Sequence, residues 1–148
     1  MNHTYQNILV AVDGSEEGKL AFNKAITMCQ QNNAALYLAH IIDTQTFPTM
    51  EAHNITMPEQ AEVHAKELLE EYGEIAKASG ISSIKTILEY GSPKHIVPKE
   101  LAEEHHIDLL VCGSSGLNLA ERLVLGSVSE NIVRHAKCDV LVVRADKN

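Results

Sequence analysis

Short apolar runs separated by helical stripes dominate this chain. Ile8–Val12 is apolar throughout and stops at Asp13-Gly14-Ser15, the pattern of a buried strand entering a turn. Ser15, with Glu16 and Glu17 behind it, reads as a helix start. Leu20, Ala21, Lys24, Ala25 and Met28 hold a helical stripe to about Cys29, and Gln30–Asn33 closes it. Ala35–Ile42 is a second β run leading into Asp43. Residues 44–57 are polar, carry Pro48 inside and Pro58 beyond, and show no period; an irregular excursion is expected there. From Pro58 the stripe Ala61, Ala65, Leu68, Leu69, Tyr72, Ile75 and Ala76 predicts a long amphipathic helix with glutamates on its wet side. Gly80 stands where a C′ glycine ends such a helix. Ile84–Tyr90 is a third strand, and Gly91-Ser92-Pro93 opens a third helix running to roughly Glu104. Ile107–Cys112, Ser127–Ala136 and Asp139–Val143 complete the series as strand, helix and strand.

Strands that alternate with helices, and that are apolar rather than alternating, predict a parallel sheet covered on both faces. Right-handed crossovers leave an open doubly wound α/β sheet as the natural topology. Ligands of such sheets bind beyond the carboxyl ends of the strands, where strand order reverses. Those ends carry Asp13-Gly14-Ser15, Ile41–Asp43, Tyr90-Gly91-Ser92 and the stretch from Gly113.

The 148 residues are expected to form one domain, 1–148, without repeats or linkers. A net charge of −8 without a Lys/Arg cluster excludes a nucleic-acid backbone as the expected partner. No apolar stretch approaches the roughly 20 residues that span a bilayer, and the N-terminus lacks a signal-peptide layout. Three scattered cysteines suggest neither a disulfide framework nor a zinc site. A cytoplasmic protein, away from membranes, is expected.

The chemistry concentrates in Cys112–Ser129, where Gly113, Gly116 and Gly126 stand with hydroxyls at Ser114, Ser115, Ser127 and Ser129. A glycine-rich link from strand to helix lets backbone N–H groups approach an anion, and the helix N-terminus adds unpaired donors. The competing reading needs no ligand: glycines make plain turns, and Ser127 with Glu130 spells a capping box. The segment is not a P-loop, because no Gly-Lys-Ser/Thr follows, and it holds no Gly-x-Gly-x-x-Gly fingerprint.

The spacing Gly113-x-x-Gly116, nine residues, then Gly126-Ser127 resembles the Gly-x2-Gly-x9-Gly-Ser/Thr pattern of nucleotide-binding universal stress proteins. Ile8–Ser15 resembles that family's first strand and turn, Ala39–Asp43 its second strand and Cys138–Val143 its last. The resemblance covers nearly the whole chain. It implies a five-stranded Rossmann-like sheet of order 3-2-1-4-5, a homodimer, and ATP bound between strands 1 and 4. Carried onto this sequence, it implies that Asp13 accepts hydrogen bonds from ribose or base with Ala11 and Val12 beside it. The backbone of Ile41 would meet the adenine edge. Gly113, Ser115 and Gly116 would wrap ribose and phosphates, with Cys112 just before them. Gly126, Ser127, Val128 and Ser129 would offer N–H and hydroxyl donors to the phosphates. Mg2+ would bridge phosphates and lean on waters, since no acidic cluster serves it. The family's ATP-binding members often carry a histidine within Gly-x-x-Gly; here both intervening residues are serine.

Single residues admit plainer roles. Asp13 could simply cap the turn before the first helix. His40 reads as a hydrogen-bonded near-core histidine rather than a base. Cys112 reads as a small buried hydrophobe. His105-His106 point apart and are not a metal pair. Val140–Val143 reads as an apolar edge that invites a second copy, so a dimer through 139–143 is expected. The functional expectation is a stress-response, ATP-occupied dimeric regulator with no assigned catalytic residue and at most slow ATP hydrolysis. There is no Walker lysine, no placed base, and only Arg122 as a conceivable arginine finger. Alternatives are a nucleotide-independent dimeric adaptor, or a slow nucleotidyl or phosphate-ester enzyme using Lys94 or His95.

Overall fold

The computed structural model describes residues 5–44, 57–114 and 126–144. Among these residues, strands β1 (Asn7–Ala11), β2 (Ala35–Asp43), β3 (Ile84–Gly91), β4 (Leu109–Gly113) and β5 (Asp139–Val143) alternate with four helices. These are α1 (Glu16–Asn32), α2 (Met57–Ala78), α3 from Pro93 to Glu104, and α4 (Ser127–His135). All pairings are parallel and the order is β3-β2-β1-β4-β5, as expected. The 44–57 excursion falls almost wholly outside the described residues. Among the described residues, no helix is long and apolar enough to cross a membrane.

Central strands are apolar on both faces because each face is covered. Ile8, Val10, Val12, Leu36, Leu38, Leu109 and Val111 meet Phe22, Ala25, Leu69 and Tyr72 of α1 and α2. On the opposite face Leu9, Ala39, Leu110 and Cys112 meet Val97 and Leu101 of α3 and Ile132 of α4. Among the described residues β3 and β5 have a single strand neighbour each, and most of their residues stay half-buried or exposed.

The helix ends follow local chemistry. Ser15 Oγ accepts the Gly18 N–H at 3.0 Å and caps α1. Asn33, in the left-handed region at φ 55°, closes α1 a turn later than the stripe suggested. At the end of α2, Ile81 N–H reaches Ala76 O and Gly80 N–H reaches Lys77 O, with Gly80 at φ +90°. That is the two-bond stop that a C′ glycine permits. α3 is less regular than expected, because Ile96–Leu101 is a π-helical stretch between Pro93–His95 and Ala102–Glu104. Pro98 lies inside it; its missing N–H and its ring, which crowds the carbonyl four residues back, disfavour a normal α turn.

The amino-terminal edge of the sheet is closed by internal bonds. Asp108 accepts the N–H groups of Gln6 and Asn7, both at 2.9 Å, and Tyr5 donates its hydroxyl to Asp139 at 2.6 Å.

Candidate functional site at the carboxyl ends of β1, β2 and β4

The chain leaves β1 one way to β2 and β3 and returns on the other side as β4 and β5, so order reverses between β1 and β4. Ala11 ends β1. Val12 continues its ladder, donating its N–H to Ala39 O at 2.8 Å while its side chain is buried under α1. Its carbonyl lies 2.6 Å from His40 Nδ1. A carbonyl only accepts, so Nδ1 carries a hydrogen and donates it to Val12 O. The near-core reading of His40 holds. Ala39 faces β1, and the strand's alternation therefore turns the N–H and C=O of Ile41 to the same side, past the point where β1 departs. The Ile41 side chain is buried beneath α3.

Asp13 adopts the capping role. Its exposed carboxylate accepts, on Oδ1, the Ser15 N–H at 2.9 Å and the Ser15 hydroxyl at 2.6 Å. Gly18 makes this possible, since a Cβ there would stand 2.8 Å from Asp13 Oδ1. Gly113 also has a packing role that its motif does not advertise. A Cβ on it would lie 3.1 Å from both Cβ and the backbone oxygen of Glu17, so its bare backbone admits the first turn of α1.

The exit from β4 is stitched to the start of α4. Ser114 is buried; its N–H donates to Val143 O at 3.0 Å, and its carbonyl accepts the Gly126 N–H at 2.8 Å. Gly126 is the N-cap, at φ −68° and ψ 168°, without a side-chain cap. The Ser127–Glu130 capping box is therefore not formed, because Ser127 already lies inside the helix. Glu130 sends its N–H to Gly126 O and pairs through its carboxylate with Arg134 at 2.7 Å. Ser129 differs from expectation in its side chain, which is buried and donates to Gly113 O, tying α4 to β4 instead of facing a ligand. Cys112 is the small buried group expected, its thiol pushed up to about 11 by burial, an effect the Ser129 hydroxyl moderates. The N–H groups of Ser127, Val128 and Ser129 belong to a first helical turn and have no acceptor within the helix. Ser127 and Val128 are exposed.

Ala11, Val12, Asp13, Ile41, Cys112, Gly113, Gly126, Ser127, Val128 and Ser129 thus share one edge of the sheet. Ser115, Gly116 and Arg122 lie outside the described residues. Lys94 and His95 sit in the first turn of α3, as a helix start requires. Among the described residues no group of three or more His, Cys, Asp or Glu is placed to hold a metal ion. Gly18 was not singled out by sequence, though it stands three residues after a capping serine, and the packing of Glu17 against Gly113 and the two backbone bonds of Ser114 were not anticipated there.

The model of the universal stress protein family matches residues 4–144. The chain belongs to that family. A curated relative from Staphylococcus haemolyticus, named as a universal stress protein, is 50% identical over 144 residues, covering 97% of this chain and 87% of the relative. Among solved structures, a universal stress protein from Lactobacillus plantarum is 31% identical with a TM-score of 0.81, covering 97% of this chain and all of the other. A universal stress protein solved in complex with cAMP is 34% identical with a TM-score of 0.71, over 96% of this chain and 98% of that one. The family's doubly wound sheet, with its order reversal at β1 and β4, is the fold described above.

Proposed function

We propose that this universal stress protein binds an adenine nucleotide, ATP in the cell, in one domain spanning 1–148, and acts in the cytoplasm as a nucleotide-occupied dimeric regulator. The observation that carries the reading is the Gly126 N–H bond to Ser114 O, which holds the first turn of α4 at the switch point beside β1. Three backbone donors and the positive end of a helix then gather where phosphates would lie. The relative solved with cAMP supports a nucleotide of this class.

In this reading Ser127, Val128 and Ser129 offer backbone N–H groups to the phosphates, and the Ser127 hydroxyl adds a fourth donor. Ser115 and Gly116 complete the wrap around ribose and phosphate, while Gly126 and Gly113 keep the approach free of side chains. Asp13 presents its second carboxylate oxygen to ribose or base while the first holds the turn. Ile41 offers its backbone to the adenine edge, with Ala11 and Val12 beside Asp13 at the end of β1 and Cys112 just before Gly113. Mg2+ would be held by phosphates and water, and it supplies charge neutralisation when bound. Without a positioned base or lysine among the described residues, hydrolysis is slow or absent in this reading. Two protomers pair through β5, whose Val140–Val143 are half-buried at a sheet edge.

The test is mass spectrometry of whatever a denatured preparation releases, together with melting in Mg-ATP. Released adenine nucleotide, or a rise in melting temperature that saturates with Mg-ATP, supports the site. Neither would leave the family's fold without this function.

A further inference from the structure

We propose that β3 is a second self-association edge, through which two copies of this chain pair antiparallel about a two-fold axis at Ile87. β3 is eight residues long, against five for β5, and among the described residues it pairs only with β2. Leu36 donates its N–H to Ser83 O and stands opposite Ile84, so odd-numbered β3 residues bond to β2. The N–H and C=O groups of Ile84, Thr86, Leu88 and Tyr90 consequently point outward from the sheet. Such an open edge either carries a guard or takes a strand.

Its charges look like a guard until their spacing is considered. Lys85 and Glu89 are exposed, lie on the same side of the strand, and flank the buried Ile87 symmetrically. With the axis at Ile87, Lys85 falls opposite Glu89 of the second copy, and Glu89 opposite its Lys85. Both are non-hydrogen-bonded pairs, where side chains approach most closely. The outward residues meet as Thr86 with Leu88 and Ile84 with Tyr90, the hydrogen-bonded pairs such a ladder requires. Tyr90, 43% exposed, gains an apolar cross-strand neighbour. A slip of the axis by two residues sets Lys85 against Lys85 or Glu89 against Glu89. A slip by one leaves a charge opposite Ile87. One register is favoured and its neighbours are penalised, which a simple guard would not need.

The surface beside the edge fits the same occupant. A cavity of about 360 Å³ runs between α2 and β3, lined by Leu69, Leu88 and Thr86 and bordered by Lys66 and Glu70. Gly73 of α2 lies over the same strand, its would-be Cβ 3.9 Å from the Thr86 methyl. A sheet continued across β3 would bring α2 of the second copy to this groove.

The proposal is independent of nucleotide binding and of the β5 pairing. It is tested in full-length protein carrying Val142→Asp, which puts a charge on the β5 edge, by sedimentation over a concentration series. The expected result is a concentration-dependent dimer whose dissociation constant rises roughly tenfold or more in K85E or E89K, each of which sets like charges opposite twice. The K85E/E89K exchange restores it. In the otherwise native chain, K85C/E89C oxidises to a covalent dimer, as does a mixture of the two single variants. Neither single variant alone does so, because identical positions lie roughly 13 Å apart across the axis. A strictly monomeric Val142→Asp protein, charge variants that associate like their parent, or a double-cysteine variant that stays monomeric would each overturn the proposal.

Discussion

Gly113 carries two demands at once, and they separate by experiment. Its bare backbone admits Glu17 of α1, so Gly113→Ala is expected to lower stability by about 1–3 kcal/mol even without nucleotide, as a fall in melting temperature. Loss of nucleotide binding in a Gly113 variant therefore does not by itself report a lost phosphate contact. The cysteines set a second expectation. Burial pushes Cys29 up to about 12 and Cys112 up to about 11, and raises Cys138. A thiol raised in the folded state favours folding below the unfolded value near 9 and loses that contribution as pH rises through the folded value. Chemical denaturation should accordingly show stability falling from about pH 9 toward 11–12, and a Cys112→Ser variant should flatten part of the fall. At neutral pH, Cys29 and Cys112 should react with a thiol reagent only as fast as the protein opens, and half-buried Cys138 faster.

At the scale of elements, the strands and helices were legible because their signals are local. Ile8–Val12 and Leu109–Cys112 are apolar on both faces since they become the buried centre, and Ser15 and Gly80 cap and stop helices through local chemistry, a side-chain oxygen in one case and a left-handed backbone in the other. What the sequence did not reveal depends on contacts distant along the chain. The Ser129 hydroxyl finds Gly113 O only once α4 folds back on β4, and the Gly18 contact with Asp13 appears only when the turn closes. Glu130 looked like a capping partner because spacing cannot tell an N-cap from the first helical residue; the true cap, Gly126, sits one position earlier. That shift has a use. Ser127 occupies the first helical position, where proline is tolerated, and Gly126 already has the extended backbone that precedes a proline. Ser127→Pro is therefore expected to melt within a few degrees of the parent while removing one backbone donor and one hydroxyl from the cradle.

For the whole molecule, the resemblance anticipated the strand order that the sheet adopts, and periodicity anticipated the elements that build it. Assembly is a prediction at this scale. If β5 is the principal dimer edge, Val142→Asp should abolish the tighter assembly in sedimentation and leave only the concentration-dependent pairing through β3, with some loss of melting temperature because half-buried Val142 also packs against the core. The central claim is that the first turn of α4 holds the phosphates of an adenine nucleotide. It is tested most directly by calorimetric titration of Mg-ATP into nucleotide-free protein and into Ser127→Pro at matched stability. The account predicts saturable binding by the parent and a dissociation constant roughly ten- to a hundredfold higher in the variant, the loss of a charge-assisted hydrogen bond. Binding of equal strength in both, or in neither, would contradict it.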